Sequence, residues 1–291
     1  MLKGIKAIIV ERFHPAQYLP MILVFTLANA LYFHFKFQDT IETKAITLTF
    51  IIMLSAFFRL RLFDEIKDYQ TDLKINPGRP LARQAISITE TKKIIFILIL
   101  LEASLAGFLG LIPFLFHILA LAYSLLMYEE FFVGENLRPH LTTYAVTHTF
   151  VSVLLGISAA ALSNGSESFL IEKEDLLFFL MNWTYFNLFE FARKTYAASE
   201  ERADVPTYSL LFKPVGAAAL SLSQVILGIY FLHEVLPAHD FSLVLVLASI
   251  YSLFCLLFAF KPTVTIAKIF RSVTGAYLLI HYALLVWIFW S

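Results

Sequence analysis

Apolar stretches of membrane length recur along almost the whole chain, near residues 17–35, 45–63, 93–111, 113–132, 142–162, 175–192, 214–233, 241–260 and 270–290. A helix needs about 20 apolar residues to cross the hydrocarbon core of a bilayer, so nine such helices occupy roughly 180 positions. That matches a chain of 291 residues of which 59% are hydrophobic. The mean hydropathy of +0.76 lies well above that of a soluble domain. Glycine and proline are sparse within the runs, and the breaks at Pro113, Lys213-Pro214 and Lys261-Pro262 fall between them, which favours helices over barrel strands. The expected fold is all-α: one polytopic membrane bundle of nine transmembrane helices over residues 1–291, with short loops and no second domain.

Charge orients this bundle. Net charge is zero, which argues against a nucleic-acid partner and leaves only the distribution of charge informative. With a cytoplasmic N-terminus, the outer loops hold only Lys36, Lys44 and Lys173, and 19 of the 22 lysines and arginines lie inside. The positive-inside rule therefore predicts an N-in, C-out topology. The single cysteine, Cys255, lies within an apolar run and reads as a buried small hydrophobe. At the N-terminus only Ala7 to Val10 separate Lys3 and Lys6 from Glu11 and Arg12. That is too short for a signal-peptide core and suits an interfacial helix.

The densest charge in the chain follows the second run. Residues 59–83 hold four acids, Asp64, Glu65, Asp68 and Asp72, and six bases. Charge beside a bilayer core costs a few kcal/mol per residue, so such a cluster marks a candidate substrate or ion site. Asp64, Asp68 and Asp72 are four apart and Glu65 lies three before Asp68, so on a helix all four share roughly one face. Carboxylates that close repel unless a cation sits among them, and oxygen-only ligands suit magnesium shared with a phosphate group.

A second charged segment follows the sixth run, from Glu190 through Arg193, Lys194, Glu200, Glu201 and Arg202 to Tyr208-Ser209. Four crossings separate the two segments, which puts both on the cytoplasmic side, where they could close over one catalytic cavity. Magnesium held by Asp64, Glu65, Asp68 and Asp72 on one side, and by Glu190 with Glu200 or Glu201 on the other, would leave phosphate oxygens for nearby bases. Those bases are Lys67, Lys74, Arg79 and Arg83 in the first segment and Arg193, Lys194 and Arg202 in the second. A diphosphate is the natural guest, and neutralising it as a leaving group lowers the barrier to carbon–oxygen cleavage. An allylic diphosphate would leave a carbocation. Thirty phenylalanines, thirteen tyrosines and three tryptophans offer faces to stabilise it.

The two segments resemble those of the UbiA-type intramembrane prenyltransferase superfamily. Its first motif, Asn-Asp-x-x-Asp-x-x-x-Asp, is similar to Asp64-Glu65-Ile-Lys-Asp68-Tyr-Gln-Thr-Asp72 in matching register, and Pro77-Gly-Arg79-Pro80-Leu81 resembles its Arg-Pro-Leu turn. Tyr123-Ser124 resembles a Tyr-Ser or Tyr-Pro pair of the fourth span. Two features depart from the pattern. The aspartate-rich second motif is replaced by Glu190, Glu200 and Glu201, and Tyr128 is followed by Glu129-Glu130 where many members have Lys-Arg. The resemblance implies nine helices and magnesium-dependent transfer of an isoprenyl group from a prenyl diphosphate to an aromatic or lipid-like acceptor. It places Asp64, Asp68, Asp72 and Glu190 at the catalytic centre. Tyr123 and Asn187 are candidate acceptor contacts, and a bacterial inner membrane with a cytoplasm-facing site is the expected location.

Two other functions fit the same acids. A terpene cyclase would let a double bond of the same chain trap the cation, and a divalent-cation transporter would use the acids as ligands without chemistry. Simpler roles also compete residue by residue. Glu190 has Arg193 and Lys194 one turn on and suits a plain helical ion pair, while Glu200 and Glu201 suit a solvated loop. Glu102, alone near the middle of a span, suits a buried pair or hydrogen bond. His117, His148 and His281 lack metal-ligand spacing and suit the core.

Overall fold

The computed structural model describes residues 2–37, 42–164, 169–202 and 205–291. Among them every regular element is helical: α1 (Leu2–Arg12), α2 (Pro15–Phe37), α3 (Thr43–Lys67), α4 (Tyr69–Ile75), α5 (Ile88–Leu109), α6 (Leu111–Tyr128), α7 (Gly134–Leu137), α8 (Leu141–Thr149), α9 (Val151–Asn164), α10 (Lys173–Arg193), α11 (Tyr208–Val235), α12 (Ser242–Phe260) and α13 (Val264–Trp290), with single 3-10 turns at Glu130–Phe132 and Ala198–Glu200. Seven helical segments are long and apolar enough to cross a membrane: α2, α3, α6, the α8–α9 pair, α11, α12 and α13. The chain is thus a multi-pass membrane protein. The other two expected spans are also long helices, α5 of 22 residues and α10 of 21. Both are interrupted by charge or amide groups: Lys92, Lys93 and Glu102 in α5, and Asn182, Asn187 and Glu190 in α10. Lys92 and Lys93 are exposed, while Glu102, Asn182, Asn187 and Glu190 have partners inside the protein.

The described residues fall into two compact units. The first comprises residues 1–132 with 157–169, the second residues 133–156 with 170–291.

In the first unit α3 packs against α2, α5 and α6. Helix α5 starts where it does because Ser87 and Glu90 form a reciprocal capping box, each side chain accepting from the other's backbone N–H at 3.1 Å. The charged end of this unit has its own apolar core of Ile8, Leu62, Phe63, Leu81, Ile86, Ile94 and Ile95. Ile8 is fully buried in it, so α1 is a docked element of the fold. Its closest approach is at Gly4, where a Cβ would lie 2.5 Å from the Ala85 carbonyl oxygen and 2.6 Å from Ile86 Cβ. Only glycine permits that contact.

Deeper in the same unit lies an ion pair shielded from solvent. Arg59 on α3 meets Glu102 on α5 at 2.9 Å through Nη2 and at 3.1 Å through Nε. Ser55 donates to Glu102 at 2.9 Å, Arg59 Nη1 donates to Ser124 at 2.6 Å, and His117 Nε2 stands 3.4 Å from the carboxylate. His117 Nδ1 meets Ser158 at 2.9 Å. Glu102 is therefore paired, as its full burial requires, and Ser124 of the Tyr-Ser pair serves this network. At the end of α6 the chain reverses through Glu130, Phe131 and Phe132, all left-handed at φ 50°, 56° and 58°. This conformation costs roughly 1–2 kcal/mol per non-glycine residue.

In the second unit α10 packs on α8, α11 and α13, and α12 bridges α11 and α13. Threonines at positions 207 and 263 cap α11 and α13, accepting from Leu210 N at 3.1 Å and Ile266 N at 3.4 Å. These caps start both helices about six residues before the apolar runs they contain. The Lys213-Pro214 step is a kink inside α11 rather than its start, with Lys213 at φ 59°. The core is aromatic and polar together. Tyr282 donates to Asn182 at 2.8 Å, and Tyr185 packs edge-on against His281 with ring centres 4.4 Å apart. Gly228 makes room for Tyr185, whose ring atoms would lie 2.6–2.7 Å from any Cβ there.

Candidate functional site

The end of α3 and the short α4 carry the first charged segment. The chain breaks at Asp68, which closes α3 with φ −78° and ψ −7° and opens α4. Asp64 and Asp68 are exposed, while Asp72 is buried under Arg79. Arg79 arrives from the Pro77–Leu81 turn. Its Nη1 lies 2.6 Å from Asp72 and 3.7 Å from Asp68, and Asn76 donates to Asp72 at 3.2 Å. The Arg-Pro-Leu turn thus closes back onto the aspartates, anchored by buried Leu81.

Glu65 does not share that face. Its carboxylate is 1% exposed and turned inward, its Oε1 accepting from Arg12 Nε at 2.7 Å and from Arg61. Two guanidiniums on the protein side outweigh the helical periodicity that groups Glu65 with its neighbours. Of the three aspartates that remain, Asp64 and Asp68 face outward and Asp72 is buried. Loss of surrounding water, followed by the charges of Asp64 and Asp72, holds the Asp68 carboxyl above its ordinary range, with Arg79 opposing.

The predicted bases are also largely engaged. Arg83 forms a two-pronged pair with Glu11 at 2.5 and 2.8 Å, and its hydrogen bond holds the Glu11 carboxyl below the usual range. Lys67 lies 3.8 Å from Glu130 and donates to the Met127 carbonyl at 3.4 Å. Lys74 is exposed. Tyr123, part-buried, packs edge-on against Phe131 with centres 5.4 Å apart, which ties it to the left-handed turn.

The second segment is built differently. Glu190 pairs with Arg193 at 2.5 Å and Lys194 at 3.0 Å, the helical ion pair anticipated from spacing. Glu200 pairs at 2.8 Å with Arg271, which also donates to the Thr195 carbonyl at 2.8 Å and stacks over Tyr196 at 4.6 Å. That arginine holds the Glu200 carboxyl below its ordinary range. Glu201 accepts from Thr207 and Ser209, both at 2.7 Å, and Ser209 in turn accepts from Tyr196 N at 2.8 Å. Arg202 is exposed, and Asn187 accepts from Thr149 within the helical core. Glu190, Glu200 and Glu201 thus each have a partner of their own, and among the described residues the three do not gather as a group of metal ligands.

Among the described residues, no three histidine, cysteine, aspartate or glutamate side chains stand close enough to hold a metal ion as they are. Magnesium, however, is commonly held by one or two carboxylates with water and phosphate oxygens completing the shell. Asp64 and Asp68 fit that demand: both are exposed oxygen donors, and their mutual repulsion, offset by Arg61 and Arg79 only from 3.9 and 3.7 Å, is one a cation would lower. Glu65, Glu200 and Glu201 do not fit it.

Sequence reasoning missed Glu11, Arg12, Arg61 and Arg271, the partners that decide which acids stay available. Arg271 left one legible trace, a guanidinium one turn inside an otherwise apolar helix that needed a counter-charge.

With helices and site described, the fold can be placed: it is that of the UbiA-type proteins, in agreement with the resemblance drawn from the motif. A solved structure from work on digeranylgeranylglyceryl phosphate synthase in membranes superposes over 97% of this chain and 98% of its own, with TM-score 0.62 and 14% identity. The apo structure of a UbiA homolog from Aeropyrum pernix K1 covers 90% of this chain and 97% of its own, with TM-score 0.61 and 15% identity. No protein-family model matches the sequence, and no curated protein matches it either. At these identities the likeness is one of fold.

Proposed function

We propose that this protein is a membrane prenyltransferase that takes an isoprenyl diphosphate head-first at the end of α3 and α4 and transfers the prenyl group to a small-molecule or lipid acceptor. The observation that carries the reading is the group of Asp64, Asp68 and Asp72 under Arg79, closed by a Pro-Gly-Arg-Pro turn, in a fold shared with a digeranylgeranylglyceryl phosphate synthase structure. Asp64 and Asp68 would hold magnesium, which would supply positive charge to a leaving diphosphate. Arg79 swings between Asp72 and the phosphate, and Lys74 adds a further cation. Ionisation would yield an allylic cation, and the acceptor nucleophile would trap it. In this reading the N-terminus and the site face the cytoplasm, nine helices cross the membrane, and Tyr123 is a contact of the acceptor.

The cation-transporter reading loses its deep ligand, because Glu102 is bound to Arg59 inside the first unit. The test is release of diphosphate by the detergent-purified protein, offered prenyl diphosphates of ten to twenty carbons with magnesium or with chelator. Metal-dependent release that needs a second substrate supports transfer. Release yielding a cyclic hydrocarbon from the donor alone turns the assignment to a cyclase, and no release across donors and acceptors overturns it.

A further inference from the structure

We propose that α1 is a strap across the candidate site and that Glu65 is its anchor rather than a metal or phosphate ligand, with Arg12 as the positioning residue. The inference deepens the proposed function and rests on it for the identity of the ligand. Three attachments fix the strap. Arg12 Nε meets Glu65 at 2.7 Å, Glu11 grips Arg83 at 2.5 and 2.8 Å, and Gly4 lies against Ala85 and Ile86. Glu65 lies before the acids Asp68 and Asp72, and Arg83 to Ile86 lie after the Arg79-Pro80 turn. Helix α1 therefore holds both flanks of the segment at once, with Ile8 buried between them.

The chemistry at Glu65 favours an anchor. Oε1 already serves Arg12 and Arg61, and Oε2, though without a hydrogen-bond partner, is buried. A ligand would have to displace protein to reach it.

The experiment uses the full-length protein in detergent, with wild type, Arg12→Ala, Arg12→Lys, Glu65→Gln and the double variant Arg12→Ala/Glu65→Gln. Thermal unfolding and magnesium-dependent binding of inorganic diphosphate are both measured. An anchor predicts coupling: each single variant lowers the melting temperature by a few degrees, and the double variant loses clearly less than the two losses added. Binding should weaken about tenfold in Arg12→Ala, the range in which outer partners tune a site, and recover in Arg12→Lys. Glu65→Gln should stay within about threefold of wild type, since its amide can still accept from both arginines. Additive melting losses, with binding lost in Glu65→Gln as fully as in Asp68→Asn, would overturn the proposal and make Glu65 a ligand. If wild type binds no diphosphate, the functional reading fails, and the melting cycle alone decides the anchor. Gly4→Ala tests the strap without touching charge. It should reproduce the Arg12→Ala loss of binding, and binding unchanged with α1 released to protease would count against the strap.

Discussion

Asp64, Asp68 and Asp72 share two arginines, Arg61 3.9 Å from Asp64 and Arg79 between the last two, whereas Glu190, Glu200 and Glu201 each have partners of their own. Both segments follow an apolar helix and mix the same residue types. In the first, pairing is looser: Asp64 and Asp68 are exposed and meet Arg61 and Arg79 only at 3.9 and 3.7 Å. In the second, charge is consumed: Arg271 ties α13 to the Ala198–Glu200 turn, and Glu201 fastens the start of α11. The density of acids is therefore a poor guide to function, and the count of unspent ones a better one. A carboxylate with a dedicated arginine and no exposure is part of the scaffold, however well it matches a motif.

The largest expected effect tests that contrast directly. Asp68→Ala should reduce diphosphate release by about 10²–10³-fold, the loss typical of removing one preorganised electrostatic group. Glu201→Gln in the same assay should lose less than about tenfold, since its amide can accept from one of the two hydroxyls, Thr207 or Ser209, and donate to the other. Equal losses would erase the distinction between the segments. A smaller effect is expected from Arg271→Ala, which strips Glu200 and the Thr195 carbonyl of a donor. It should cost about 1–3 kcal/mol in chemical denaturation while leaving the turnover per folded molecule unchanged.

The smallest effect is one of sign. The folded-state carboxyl of Asp68 is raised, so its ionisation destabilises the fold as pH climbs from the ordinary aspartate range through the raised value. Asp68→Asn should therefore melt about 1–2 °C above wild type at neutral pH, and the difference should vanish in acid. Glu200 is lowered, so its contribution is present above the ordinary glutamate range and lost as pH falls through the depressed value. Glu200→Gln should melt below wild type at neutral pH and converge with it in acid. Melting curves across pH for the two variants check both; shifts of the same sign would mean that the two carboxylates sit in like environments.

Much of this architecture was legible in the chain. Each expected apolar run is helical, eight as one long helix and the run at 142–162 as the α8–α9 pair, because lipid-length hydrophobic runs leave the backbone little choice. The Asp64–Asp72 register and the turn at Arg79 were legible for a similar reason, since both are local. The partners were not. Arg12 and Glu65 are 53 positions apart, Arg83 and Glu11 are 72 apart, and Arg271 and Glu200 are 71 apart. Only folding decides such pairs. Helix periodicity put Glu65 with its neighbours, and two arginines, one of them from a docked N-terminal helix, took it away. The early starts of α11 and α13 were missed because Thr207 and Thr263 act as caps beyond the apolar pattern used to find the spans.

The Arg59–Glu102 pair also bears on how the protein is made. Arg59 lies in α3, a helix long and apolar enough to cross a membrane, where an unpaired charge would cost a few kcal/mol. Its partner Glu102 is on α5, which is synthesised second. The pair therefore ties settling of α3 to the arrival of α5, and the two should assemble as a hairpin, with α4 and the aspartates carried on the loop between them.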